Sequence, residues 1–304
     1  MSCKGDLSEQ CAPIIGFFPW RFKKVLEPAT QSQITLELST PSRMRAVSKE
    51  LENVEYTVAD HLARIEMNRP QVLNALSKGM FRDLSTALGL ATRDRDARVV
   101  EITGAGKAFS AGLDIREVGG FKSRAEANEF VYGLVKPFWD QLFKCEKPII
   151  SLVDGPAYGA GAEIALASDM VIASTESTFA FSGGRVGALC CMSGVIGPYL
   201  MNGRKLVEMN LSGTALAADE ARECGLVSYS VPKQELVPTL EKIIREIMRV
   251  SPISNSSFKR IRKTDLPKTK LKTAYRELLR TITSKDFREG SSAFVAKRAP
   301  EYYR

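Results

Sequence analysis

Glu163 follows a run of very small residues, Asp154-Gly155-Pro156-Ala157-Tyr158-Gly159-Ala160-Gly161-Ala162, and a carboxylate there is suited to acid–base work. Glycine and alanine at the start of a helix let a ligand approach the backbone closely. The first N–H groups of that helix have no partner within it, and they sit at the positive end of its dipole. A second glycine-bordered turn, Ala108-Phe109-Ser110-Ala111-Gly112-Leu113-Asp114, has the same character. Two N–H donors converging on one carbonyl oxygen make an oxyanion hole, which supplies several kcal/mol where water is excluded. Close strand–helix packing selects the same small residues, and a glutamate in a first helical turn is favourable against the dipole with no active site at all. Composition leaves both readings standing.

Other chemistries lack material. The chain has one histidine, His61, which removes most histidine-based metal sites and Ser-His-Asp or Cys-His relays. Cysteines occur at Cys3, Cys11, Cys145, Cys190, Cys191 and Cys224, with no CxxC pair, so neither a zinc ribbon nor a thioredoxin-like motif is supported. Cys190 and Cys191 read as packing thiols; a reactive thiolate needs a nearby cation or base, and Arg185 is the only local candidate. Gly104-Ala105-Gly106-Lys107 imitates a phosphate loop, but Glu101 stands where its first glycine belongs and Ala108 where its Ser or Thr belongs. Phe109 likewise breaks the dinucleotide fingerprint.

The elements that must hold these turns can be read from periodicity. Val54, Tyr56 and Val58 alternate with polar residues, as do Ala63, Ile65 and Met67, predicting a hairpin that turns at Asp60-His61. Ser77 is placed to cap a helix carrying Met80, Leu84 and Leu88 on one face. Short apolar strands are expected at 98–103, 149–153 and 170–173, a long helix through Phe130, Leu134 and Trp139, and a small-residue helix at 160–168. The segment 182–194 reads as irregular, and the chain from Lys205 onward as mostly helical, clearest at 236–250 and 269–282. Strands alternating with helices, then a helical end, predict an α/β core with an α-helical C-terminal part.

Five blocks in order carry a further signal. They are Asn68-Arg69-Pro70 with Leu73-Asn74-Ala75-Leu76; Ala108 to Ile115; Gly155 to Asp169; Leu211-Ser212-Gly213; and Asp286 to Phe294 with Lys297-Arg298. With these the chain resembles the crotonase (enoyl-CoA hydratase/isomerase) superfamily over about residues 54–302. The resemblance implies an α/β fold, a ββα spiral core with a helical C-terminal trimerisation region. Residues 1–50, with no sustained period and interrupted by Pro13, Pro19, Pro28 and Pro41, read as a poorly ordered extension or targeting segment; the resemblance makes 51–200 an acyl-CoA-binding core and 201–304 a helical region that completes the site and the oligomer contacts. It implies an acyl-CoA thioester substrate, no separate cofactor because coenzyme A is part of that substrate, no metal, and a homotrimer or hexamer. Position by position, it makes Leu113 and Ala160 the oxyanion-hole donors and Glu163 a catalytic carboxylate. Ala111, Gly112, Asp114, Gly159 and Gly183 become substrate-binding residues, and Phe294 and Lys297 would lie near the coenzyme A of a neighbouring subunit's site.

The chain departs from the pattern at one place. Hydratases carry a second glutamate in a Pro-Glu pair after the strand equivalent to Phe179-Ala180-Phe181, and here the pair is Ser182-Gly183. Hydration needs a base for water and an acid for the α-carbon, and one carboxylate can serve as both in turn. The expected activity is therefore hydration of a 2-enoyl-CoA in lipid metabolism. Isomerisation, thioester hydrolysis and a non-catalytic acyl-CoA binder are the alternatives.

Lys plus Arg outnumber Asp plus Glu by 43 to 35, a net charge of +8 over 304 residues, which suits an anionic ligand. The run Lys259-Arg260-Ile261-Arg262-Lys263 invites a nucleic-acid reading, but such runs are usually solvated helix faces and the phosphates of coenzyme A account for a basic surface. The stretch from Pro13 to Trp20 is too short for a membrane span. The reading is cytoplasmic, or mitochondrial matrix if residues 1–50 are a transit peptide; Met44 is an alternative start.

Overall fold

The computed structural model describes residues 51–264 and 267–302, so the expectations for residues 1–50 lie outside it. Strands β1 (Val54–Ala59) and β2 (Leu62–Met67) form the expected hairpin. Its two turn residues, Asp60 and His61, both have positive φ (47° and 66°), as a two-residue type I′ turn requires. His61 is exposed there, its Nδ1 2.9 Å from the Asp96 carbonyl. Helix α1 (Lys78–Arg93) starts at Ser77, whose hydroxyl accepts the Met80 N–H, and it buries Met80, Leu84 and Leu88.

Strand β3 (Val99–Gly104) continues the sheet in parallel with β2. Short helices α2 (Ile115–Val118) and α3 (Arg124–Asn128) follow. The long helix expected through Phe130, Leu134 and Trp139 is present as one unbroken helical run of α3, a π-helical stretch at Glu129–Val135, and α4 (Lys136–Lys144). The wider turn leaves the apolar spacing nearly unchanged, so periodicity does not reveal it.

The core then repeats a simple unit. Strand β4 (Ile149–Val153) joins the main sheet, β5 (Pro156–Tyr158) joins a second sheet, and α5 (Ala160–Ala167) follows. Strand β6 (Met170–Ser174) and β7 (Thr178–Ala180) do the same ahead of α6 (Cys191–Leu200). These are the ββα turns of the expected spiral. The main sheet has the order β1-β2-β3-β4-β6-β9 and the small one β5-β7-β8.

Two differences from expectation stand out. The segment 182–194 is a 3-10 turn at Ser182–Val186 and then α6, whose Cys191, Met192, Ser193, Val195, Ile196 and Gly197 are all buried. A helix that is apolar nearly all round, including its exposed Gly194, Pro198 and Tyr199, has no polar face and shows no 3.6-residue pattern. Strands also continue past residue 200. Helix α7 (Gly203–Ser212) is followed by β8 (Leu216–Ala217), α8 (Ala218–Glu223) and β9 (Tyr229–Val231), and β9 is the edge of the main sheet. The C-terminal helices are α9 (Leu236–Met248), α10 (Pro252–Thr264), α11 (Lys268–Ile282) and α12 (Lys285–Val295).

One sheet face packs on α1, α4 and α5 in the larger core. On the other, Val99, Ile150, Leu152 and Ile172 pack against Leu236, Leu240 and Ile243 of α9. Two residues of the basic run on α10 turn inward: Lys259 is 4% exposed and bonded to Asp169, and Arg262 holds the same carboxylate at 2.9 Å, while Arg260 and Ile261 face outward.

Candidate active site

The two glycine-bordered turns are tied together by backbone. Ser110 N–H donates to the Pro156 carbonyl (3.2 Å) and Tyr158 N–H to the Ser110 carbonyl (2.8 Å). Asn74, fully buried, braces the first turn: its Nδ2 donates at 2.8 Å to the carbonyls of both Ala105 and Ala108. Gly112 has φ +88°, and a Cβ on it would lie 2.7 Å from the Tyr158 carbonyl oxygen and 3.2 Å from the Ala160 nitrogen. Gly159 adopts φ 52°, ψ −124°, a region open essentially to glycine alone. Glycine at 112 lets the turns meet this closely, and glycine at 159 supplies the backbone conformation that starts α5.

This arrangement exposes two N–H groups. Leu76 N–H donates to the Gly112 carbonyl and Asp114 N–H to the Leu76 carbonyl, so the Leu113 N–H between them points the other way. Ala160 is the first residue of α5. Among the described residues, neither N–H donates to a backbone carbonyl outside regular secondary structure, and the first N–H of a helix has no partner within it.

Both residues border a cavity of about 520 Å³ together with Glu163. Its mouth is marked by exposed Gln71, Leu73, Arg116, Leu189 and Phe294, and its floor by buried Phe81, Val135, Trp139, Leu278 and Cys191. Glu163 is 4% exposed. Its Oε1 accepts the Ser193 N–H at 2.9 Å. Burial nevertheless outweighs the N–H groups of Ser193 and Met192 and pushes the carboxyl up to about 8. A buried carboxyl group and two N–H donors that border one largely apolar cavity can move a proton while the donors stabilise an oxyanion.

The other predicted residues fall as follows. Ala111, Asp114, Gly159, Gly183 and Phe294 line the cavity, while Gly112 lies beneath it as the packing point between the turns. Asp114 is held by Arg69 at 3.0 Å. Phe294 borders the cavity of its own chain rather than only a neighbour's. Lys297 is not on the wall; it is exposed just past α12 with φ 56°. Cys190 and Cys191 do line the cavity, but burial, with the Glu163 carboxylate second, holds both thiols well above their ordinary range. Arg185 offers them no cation, since it is exposed and donates to the Ser212 carbonyl. The packing reading of these cysteines is the one the geometry favours. Among the described residues no cluster of His, Cys, Asp or Glu is arranged to hold a metal ion. No described helix is long and apolar enough to cross a membrane.

The sequence pattern of the enoyl-CoA hydratase/isomerase family matches residues 57–304. The chain belongs to that family. A probable mitochondrial enoyl-CoA hydratase from Dictyostelium discoideum is 32% identical over 243 residues, 79% of this chain and 86% of that protein. The 1,2-epoxyphenylacetyl-CoA isomerase of Escherichia coli is 30% identical over 249 residues, 78% and 93% of the two chains. The crystal structure of an enoyl-CoA hydratase from Mycobacterium avium subsp. paratuberculosis superposes with a TM-score of 0.74 at 25% identity, covering 84% of this chain and all of that one. The fold is thus the crotonase fold, and enoyl-CoA hydratase/isomerase relatives carry both hydratase and isomerase names.

Proposed function

We propose that this family member hydrates a 2-enoyl-CoA through a thioester enolate, with Glu163 as its one proton carrier. The observation that carries the reading is the buried Glu163 carboxyl on the same cavity as the free N–H groups of Leu113 and Ala160. The thioester carbonyl oxygen accepts both N–H groups. Ionised Glu163 takes a proton from water as the water oxygen bonds to C3 and the C2–C3 π pair moves toward the carbonyl, giving the enolate. Glu163 then returns that proton to C2, the carbonyl re-forms, and water has been added overall.

Position 183 favours a second reading. With no carboxylate there to orient water, the same single group suits a 1,3-proton shift, removing a proton from one carbon of the substrate and returning it to another. Turnover of 2-enoyl- and 3-enoyl-CoA in heavy water separates the two by mass spectrometry. Hydration adds heavy water, whereas isomerisation shifts the double bond without adding oxygen, which chromatographic separation of the two enoyl-CoAs ahead of the spectrometer detects whether or not deuterium enters. A product set with neither change points to a binding protein.

We also propose a trimer or a dimer of trimers. Ile253, Phe258 and Ile261 of α10 are exposed in the single chain, and large apolar side chains on one side of a helix suit a subunit contact. Sedimentation as a stable monomer at micromolar concentration contradicts this.

A further inference from the structure

A second cavity, of about 230 Å³, is bordered by Phe143, Ala167, Ile196 and Leu200. Its polar wall, Asp169 with Lys259 and Arg262, is already ion-paired. The same three helices serve both cavities. Along α4, Trp139 lines the first and Phe143 the second; along α5 the pair is Glu163 and Ala167; along α6 it is Cys191 and Ile196. On α4 and α5 the step is four residues, about one helical turn, or ~6 Å. Trp139 and Phe143 are stacked, ring centroids 5.9 Å apart and planes 24° apart. One aromatic pair thus contributes one ring to the lining of each cavity. Trp139 is itself 2% exposed, at the floor opposite the exposed mouth.

We propose that the Trp139–Phe143 stack is the partition that sets the longest acyl chain the first cavity accepts, and that the second cavity is the compartment a longer chain enters when Trp139 is cut back. This rests on the acyl-CoA reading above. An acyl tail entering from the mouth loses water-exposed area with each methylene, so affinity grows about fourfold per carbon until the tail meets the indole. Beyond that length the added carbons have no apolar space and the gain stops. The indole is the larger of the two rings and the one that faces the substrate, so its size fixes the stopping point.

The test is calorimetric titration of saturated acyl-CoAs from butanoyl to dodecanoyl, which need no turnover. In the unaltered protein, affinity should climb with length and then level. In Trp139→Leu the levelling point should move to longer chains by two or more carbons, with decanoyl-CoA at least about tenfold tighter. Adding Ile196→Phe, which fills the second cavity, should move it back. An unchanged levelling point in Trp139→Leu overturns the proposal, as does a shift that persists with Ile196→Phe present. Trp139→Phe, a milder cut, carries the test if the leucine variant does not fold, with a smaller shift expected. Failure of every acyl-CoA to bind the unaltered protein would instead overturn the acyl-CoA reading.

Discussion

The Glu163 carboxylate accepts the backbone N–H of Ser193 at 2.9 Å, and this contact joins the first turn of α5 to the first turn of α6. Helix α6 has no side-chain cap of its own at Cys190, so the glutamate of the neighbouring helix supplies one. Ser193 is fixed in turn, its Oγ 2.7 Å from both the Cys190 carbonyl and Asn210 Oδ1. A carboxylate bonded to helix N–H groups is ordinarily a stronger acid, and burial reverses that here. The same oxygen pair caps a helix and carries a titratable proton near neutral pH.

The hydration proposed above begins with ionised Glu163. With its carboxyl pushed up to about 8, kcat/KM should rise roughly tenfold per pH unit below that value and level above it. A profile already flat between pH 6 and 8 would remove Glu163 as the base.

Glu163→Gln keeps the shape, and its amide oxygen can still accept the Ser193 N–H. Turnover should fall by about 100-fold or more while acyl-CoA affinity stays within a few-fold. The check is steady-state kinetics beside calorimetry on the same preparation. Intact turnover would assign the chemistry elsewhere.

The same variant should also change how stability depends on pH. Folded Glu163 holds its proton to about pH 8, whereas its ordinary value is 4.5. Between those values folding takes up a proton, so the contribution of this group falls as pH rises through the window and is constant outside it. Thermal unfolding should show Glu163→Gln gaining on the parent protein from about pH 5 to about pH 8. A difference in Tm independent of pH would mean that the carboxyl is not held neutral.

Ala160 is the first residue of α5, the one helical position where proline is well tolerated. Ala160→Pro therefore removes one free N–H without breaking the helix. Turnover should drop by about 100-fold or more, with the circular-dichroism spectrum retained. Unchanged rates in a folded variant would place the oxyanion contact elsewhere.

Gly183 is not in the left-handed backbone region, so glutamate meets no conformational bar there. Space is the obstacle, since a Cβ would lie 3.0 Å from Cys190 Sγ and 3.1 Å from the Ala188 carbonyl oxygen. Gly183→Glu with Cys190→Ala should hydrate but-2-enoyl-CoA about tenfold or more faster than Gly183→Glu alone. Equal rates in the two variants would mean that the sulfur is not what crowds the second carboxylate.

The local rules were readable where one face met water or one residue had one task. Val54, Tyr56 and Val58 alternate because only one side of β1 is buried, and Ser77 caps α1 by a bond three residues along. Strand Ile149–Val153 was plain from its apolar run. Helix α6 was hidden because it is apolar all round, and β5, β7 and β8 because two or three residues carry no period. In the candidate site, Leu113, Ala160 and Glu163 meet on one cavity as their turns suggested. What joins them to the rest is long-range: Ser193 is 30 residues from Glu163, and Lys259 reaches Asp169 across 90. Trp139 looked like any core aromatic of a helix, since nothing local marks a floor between two cavities.

The pair of donors at Leu113 and Ala160 is made of main chain, and that makes the candidate hole indifferent to side-chain identity. Exchanging Leu113, or Val135 and Leu278 on the walls, reshapes the space without withdrawing an N–H. The sequence constraint is displaced onto Gly112 and Gly159, whose backbones need conformations that side chains resist. Mutational tolerance should therefore be lopsided: wide at the residues a substrate touches, narrow at two glycines beneath and beside it. A scaffold with that distribution can diversify its substrate range by drift in the wall residues while its charge-stabilising element stays fixed, and a randomised library should hold those two glycines constant.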